Sequence, residues 1–228
     1  MKSMKTLLAA SIAAAAISAP AMAEEESGIA VDASVAIAST YLWRGQDLGS
    51  GTPAVSGDLM VSTAGFYTGV WASSGDTSGG TEYDLFVGYG TEVGGVSIDV
   101  SLWNYVYPTG AGYTGDADGT DVGELTELVV GVGYGAASFT AYTNVAGNSN
   151  YAYYTLGYDI GKFGFLLGMY DSAAEAAIDS GNGYDKPTHL DISYAYNDNL
   201  SFTVSQFISD EPSGDDAKVV VSYSIPLM

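Results

Sequence analysis

A single antiparallel transmembrane β-barrel of about twelve strands is the fold this sequence predicts, on three observations. From residue 28 onward, strand-length segments alternate apolar with polar side chains, the pattern of a strand with a different medium on each face. The spacers between them are by turns short and long, as expected when every segment crosses the same slab and returns. Beyond residue 23 no stretch offers the ~20 apolar residues of a membrane helix, because Asp, Ser, Thr and Gly recur every few positions.

Residues 1–23 are read apart from the fold. Lys2 and Lys5 precede an Ala-rich apolar run over 7–20, and Ala21-Met22-Ala23 stands before three glutamates, the pattern of a cleaved secretory signal peptide. The expected barrel domain is then 24–228, with no linker to a second domain. Cysteine is absent, so no disulfide or thiolate metal site is available, and stability must come from a closed hydrogen-bond ladder.

The first predicted strand covers 29–44, with Val31, Ala33, Val35, Ile37, Tyr41 and Trp43 on one face and Asp32, Ser34, Thr40 and Arg44 on the other. Strands over 53–61 and 66–73 follow, joined by a tight turn at 62–65, with Asp58 facing opposite to Val55, Leu59 and Val61. A Gly-rich loop leads to 81–90, where Tyr83, Leu85, Val87 and Tyr89 alternate with Glu82, Asp84, Phe86 and Gly88. The turn at 91–95 opens 96–107, in which Val96, Ile98, Val100 and Leu102 alternate with Ser97, Asp99, Ser101 and Trp103. After a long loop, 124–134 sets Leu128, Val130, Val132 and Tyr134 against Glu127, Gly131 and Gly133. The remaining strands are 137–145, 151–158, 163–171, 187–196, 200–209 and 217–225. An even count returns both ends of the barrel to one side, beside the tight turns.

Cost assigns the faces. An ionised side chain at the bilayer midplane costs about 2–4 kcal/mol, whereas in a wet lumen it costs little, so aliphatic rows face lipid and carboxylates face inward. Tyr41, Trp43, Tyr83, Tyr89, Tyr134, Tyr158, Tyr194 and Tyr223 fall near strand ends, where amphipathic rings suit the headgroup level. A secreted β-sandwich is the alternative that shares the alternation, but it does not ask for spacers that are consistently short on one side and long on the other.

Ser39-Thr40-Tyr41-Leu42-Trp43-Arg44-Gly45-Gln46, then Pro53-Ala54-Val55 with Gly57, then Gly65-Phe66-Tyr67-Thr68-Gly69-Val70-Trp71-Ala72-Ser73 form a series of motifs. Glu82-Tyr83-Asp84-Leu85 with Gly88-Tyr89, Tyr105-Val106-Tyr107-Pro108 and the strand start at 124–127 continue it. Together these resemble the TorF-type porin family, exported bacterial proteins catalogued earlier without a function. The resemblance covers most of the chain after residue 23 and is strongest before residue 135. It implies an exported outer-membrane barrel with a pore and brings no catalytic residues.

The predicted lining consists of Arg44, Asp58, Glu82, Asp84, Asp99, Glu127, Asp191 and Lys218, with Asp32 and the single histidine, His189, on the same face. A channel so lined prefers cations, because fixed like charges concentrate counter-ions. Arg44 is the only arginine, and its planar fork suits bidentate pairing with a carboxylate such as Asp84 or Glu82, either as a selectivity element or as a brace. A lumen that is merely solvated is the plain alternative for scattered charge.

Asp116, Asp118, Asp121 and Glu124 offer oxygen ligands but depart from the EF-hand order, which favours an acidic loop over a calcium site. His189, Asp191 and Ser193 share one strand face without a nucleophile motif around the serine, which argues against a hydrolase. The chain therefore calls for no enzyme activity and no cofactor. Expected partners are outer-membrane lipid and lipopolysaccharide outside and small hydrophilic solutes or cations inside; a net charge of −21 makes nucleic acid a poor one. The function expected is a narrow, weakly cation-selective diffusion pore in the outer membrane of a Gram-negative bacterium. Its rival is a closed barrel with a structural or surface-binding role, plugged by Phe86, Trp103, Tyr105, Tyr170 and folded-in loops.

Overall fold

The computed structural model describes residues 28–109, 121–147, 152–171, 186–209 and 216–227. The expected signal peptide, 1–23, lies outside the described residues, as does most of the acidic stretch at 116–124.

Among the described residues the chain forms fourteen strands: β1 (Ala30–Ala38), β2 (Leu42–Trp43), β3 (Gln46–Asp47), β4 (Ala54–Thr63), β5 (Phe66–Asp76), β6 (Gly80–Val93) and β7 (Val96–Val106), then β8 (Thr126–Tyr134), β9 (Ala137–Ala146), β10 (Ala152–Ile160), β11 (Phe163–Tyr170), β12 (Thr188–Ala195), β13 (Leu200–Ser209) and β14 (Lys218–Pro226). β1 and β4–β14 make one closed antiparallel sheet in sequence order, in which β1 pairs with β4 on one side and β14 on the other; β2 and β3 form a separate small hairpin. Twelve barrel strands match the number read from the spacing.

Closure removes the edges of the barrel sheet, which satisfies its backbone without water. At one end, the turn end, the strands are joined by tight connections such as Ala64-Gly65 and Gly94-Gly95. Both residues of each pair hold positive φ, 47° and 86° in the first and 62° and 82° in the second, as two-residue type I′ hairpins require. The other, loop end carries the longer connections.

Period-2 alternation then sorts the side chains. Val35, Ile37, Leu59, Val87, Val100, Leu102, Leu156, Leu167, Ile192, Val204 and Val221 are exposed on the outer wall. A β-sandwich would bury these residues, so the arrangement excludes it and marks a wall built for hydrocarbon. Aromatic residues gather on the outside near the turn end: Phe66 lies 4.7 Å from Tyr89 and Phe163 5.1 Å from Tyr194, with Tyr134 and Tyr158 exposed beside their turns. This is an interfacial girdle.

The first strand departs from its expected bounds. β1 ends at Ala38 rather than continuing to Arg44, and the chain turns inward. Tyr41 is buried inside the barrel and Trp43 packs against the interior cluster, so neither belongs to the girdle. The polar–apolar alternation of 39–44 belongs instead to one arm of the β2–β3 hairpin, which sits among the inward-facing side chains of the wall.

Candidate functional site

Arg44 and Gly45 form the tip of the β2–β3 hairpin, with Trp43 opposite Gln46 and φ of 48° and 83° at the two tip residues. That is again a two-residue primed turn, which bends a short ribbon back on itself. The left-handed geometry is costly for an arginine and ordinary for glycine. Gly45 also approaches β12 so closely that an added Cβ would lie 2.6 Å from His189 Cγ. Glycine therefore serves here both for its φ and for its missing side chain.

The tip drives the Arg44 guanidinium into the loop half of the lumen, where it is 1% exposed. Its two terminal nitrogens donate to both oxygens of Glu127 on β8, at 2.9 and 2.8 Å. Tyr105 on β7 donates to the same carboxylate at 2.6 Å. Aromatic faces complete the cage, with the guanidinium carbon 4.5 Å from the Trp43 ring centroid and 4.6 Å from those of Tyr142 and Tyr153. Fork-to-fork pairing and cation–π contact gain strength away from water, which is how an arginine is kept in a dry interior.

Further bonds hold the hairpin to the wall. Tyr170 on β11 donates to the Arg44 carbonyl at 2.7 Å and accepts from Gln46 Nε2 at 2.7 Å. Tyr41 donates to Glu82 Oε2 at 2.6 Å, and Tyr107 donates to the other oxygen of Glu82 at 2.8 Å. Thr40 bonds Asp47 across the base of the segment. His189, fully buried, shares its ring nitrogens between the Tyr153 hydroxyl at 2.7 Å and Asp191 at 2.8 Å.

Around the hairpin the wall contributes a layer of rings. Tyr67, Phe86, Trp103, Tyr105, Tyr142, Tyr153, Tyr170 and Phe207 are buried in one cluster with Met60 and Val129, and Phe86 stacks on Trp103 at 4.5 Å. Strand glycines make the room: a Cβ on Gly168 would lie 2.2 Å from both His189 Nε2 and the Tyr153 hydroxyl.

The predicted lining thus divides by depth. Arg44, Glu82, Asp84, Glu127 and Asp191 are all buried in the loop half. Asp58 and Asp99 are half-buried and Asp32 lies closer to solvent, along inner rows of small residues such as Ser97, Gly131 and Gly157; Asp159, which the sequence placed in a turn, ends up exposed near the end of β10. Asp58 accepts from Ser34, and Asp99 accepts from Tyr67 at 2.8 and 2.9 Å. Lys218 stands at the loop-end start of β14, its ammonium 6.0 Å from the Phe207 ring centroid and bonded to the Asp216 carbonyl.

Arg44 pairs with Glu127 and not with Asp84 or Glu82. The reason is geometric: the hairpin carries the guanidinium across the lumen to β8, whereas a continued first strand would have left it on the wall. Asp84 is buried beside Trp71 and Tyr105 on the neighbouring strands, and its Oδ1 accepts no hydrogen bond among the described residues. Sequence reasoning placed Trp43 at the headgroup level and assigned no role to Gln46, Tyr142 or Tyr153; the available signal was the Arg44-Gly45 pair, a turn dipeptide inside an alternating run. No group of three or more His, Asp or Glu among the described residues is placed to hold a metal ion.

Three solved outer-membrane proteins align with this chain at low similarity. A NanC porin aligns with a TM-score of 0.44 at 14% identity, covering 86% of this chain and 98% of that one. Outer membrane phospholipase A from Escherichia coli aligns at 0.39 and 13%, covering 85% and 91%. OprD from Pseudomonas aeruginosa aligns at 0.34 and 14%, covering 90% and 69%. No curated protein matches the sequence. The sequence does match, over residues 22–200, the family described as bacterial protein of unknown function (Gcw_chp), and the chain belongs to that family.

Proposed function

We propose that this protein is a porin-like channel of a Gram-negative outer membrane, of the TorF type, that passes small hydrophilic solutes with a weak preference for cations. The conformation described here is its closed one. The carrying observation is the Arg44 hairpin: a polar, hydrogen-bonded plug occupies the loop half of the lumen, while the turn half keeps half-buried and exposed carboxylates along rows of small residues. A barrel meant only as a scaffold has no need of a wet acidic vestibule below its plug. Among the described residues, the acids of that vestibule, Asp32, Asp58, Asp99 and Asp159, form no ion pair with lysine or arginine, and they would gather cations before the constriction.

The aromatic layer favours the second reading, a permanently filled barrel with a structural or surface-binding role. Reconstitution into planar bilayers across a salt gradient separates the two. The channel reading expects brief, small conductance steps and a reversal potential on the cation side. A silent protein would support the filled barrel, and a reversal potential on the anion side would remove the acidic lining.

A further inference from the structure

The Arg44 cage has two owners. Trp43 and Arg44 belong to the hairpin, whereas Glu127, Tyr105, Tyr142 and Tyr153 belong to the barrel wall and would stay behind if the hairpin withdrew. What remains is a buried carboxylate with both oxygens aimed at one point, braced by a tyrosine hydroxyl and flanked by two aromatic faces. That is the recognition chemistry of a planar organic cation.

Electrostatics makes the vacated state demanding. Glu127 is 2% exposed and lies near Asp84, which is also buried and has an oxygen that accepts no hydrogen bond among the described residues. A buried carboxylate stripped of its partner is strongly unfavourable, so the hairpin leaves readily only if another cation takes its place. Sodium fits poorly, because it gives up hydration without gaining the flat, bidentate contact that the site offers.

We infer that the wall residues Glu127, Tyr105, Tyr142 and Tyr153 form a binding site for guanidinium-bearing solutes, which Arg44 fills from within as a built-in surrogate. The inference deepens the channel reading by naming the solute class that opens the path: such a solute competes with Arg44 and displaces the hairpin. Asp84 extends the site toward solutes with a second positive charge.

Rescue of an emptied cage tests this. The full chain carrying Arg44→Ala is refolded into detergent and its unfolding followed with methylguanidinium chloride, with its neutral isostere methylurea, or with sodium chloride, all below denaturing concentrations. Methylguanidinium should raise the melting temperature in a saturable way. At about 100 times its Kd it raises the folded-to-unfolded ratio about 100-fold. Methylurea and sodium should not, nor should methylguanidinium act on Arg44→Ala/Glu127→Gln. If Arg44→Ala fails to refold alone, recovery of refolding by methylguanidinium is the same readout. Equal effects of methylurea, equal rescue of the double variant, or no rescue would overturn the site. The titration needs no current, so rescue in a protein that never conducts would keep the site and remove the channel.

Discussion

Arg44→Ala is expected to lower folding stability by about 3–5 kcal/mol, the cost of leaving a buried charge without its partner. The pair is 1% and 3% exposed and doubly hydrogen-bonded, so solvent does little to soften the loss of Arg44. The stranded group is then Glu127, still bonded to Tyr105 but without a compensating positive charge. Arg44→Ala/Glu127→Gln should therefore be more stable than Arg44→Ala alone, because the second change removes the uncompensated carboxylate. Denaturant unfolding in detergent gives both values. The same variants should conduct more than the parent, since the hairpin loses its deepest anchor. A double variant no more stable than Arg44→Ala would mean that the carboxylate finds another partner in the lumen.

On the opposite face of the wall, Leu102→Arg should cost about 2–4 kcal/mol when the barrel is in a bilayer. Leu102 lies near the middle of β7, points outward, and pairs with Val87 on one side and Leu128 on the other, so a guanidinium there has no polar neighbour within the row. The sign of the face assignment is what this substitution reads. If unfolding from lipid vesicles showed Leu102→Arg to be as stable as the parent, the aliphatic rows would not be the lipid face.

The barrel was legible because its rules are local. Alternation over 96–107 places Ile98, Val100 and Leu102 outside and Asp99, Ser101 and Trp103 inside, and β7 differs from the predicted strand by one residue at its end. The hairpin turns were legible in place but not in length: expected over 62–65 and 91–95, they are the two-residue turns Ala64-Gly65 and Gly94-Gly95, with the strands running on to Thr63 and Val93. Length and even spacing then set the strand number.

The rings that fill the lumen were named in the alternative reading, and Phe86, Trp103, Tyr105 and Tyr170 do lie in the interior cluster, but the hairpin among them was not legible, and that failure has a physical cause. A two-residue hairpin strand alternates with the same period as a barrel strand, so Tyr41 and Trp43 continued the β1 pattern without a break while the backbone had already turned inward. Inside a filled lumen, aromatic rings serve as well as they do at an interface, and composition cannot tell the two surroundings apart. The partner of Arg44 was beyond reach for another reason: Glu127 is 83 residues away in sequence, and only the hairpin's path across the lumen chooses it over Glu82 and Asp84. Glu82, Asp84, Glu127 and Asp191 are buried while Asp58 and Asp99 are half-buried, a difference that depends on what the lumen holds and that no single strand encodes.

In the proposed channel the hairpin must leave the lumen before ions pass, and a reversible tether tests that requirement. The chain has no cysteine, so a Gly45→Cys/His189→Cys pair would be the only thiols present. A Cβ built at Gly45 lies 2.9 Å from His189 Cβ, and a small withdrawal of the tip brings the two to the ~3.8 Å of a disulfide. Single-channel recording of this variant should show no openings under oxidant and openings that appear when reductant is added to the same bilayer. Equal conductance before and after reduction, with the disulfide verified by mass, would contradict a hairpin that must leave for ions to pass.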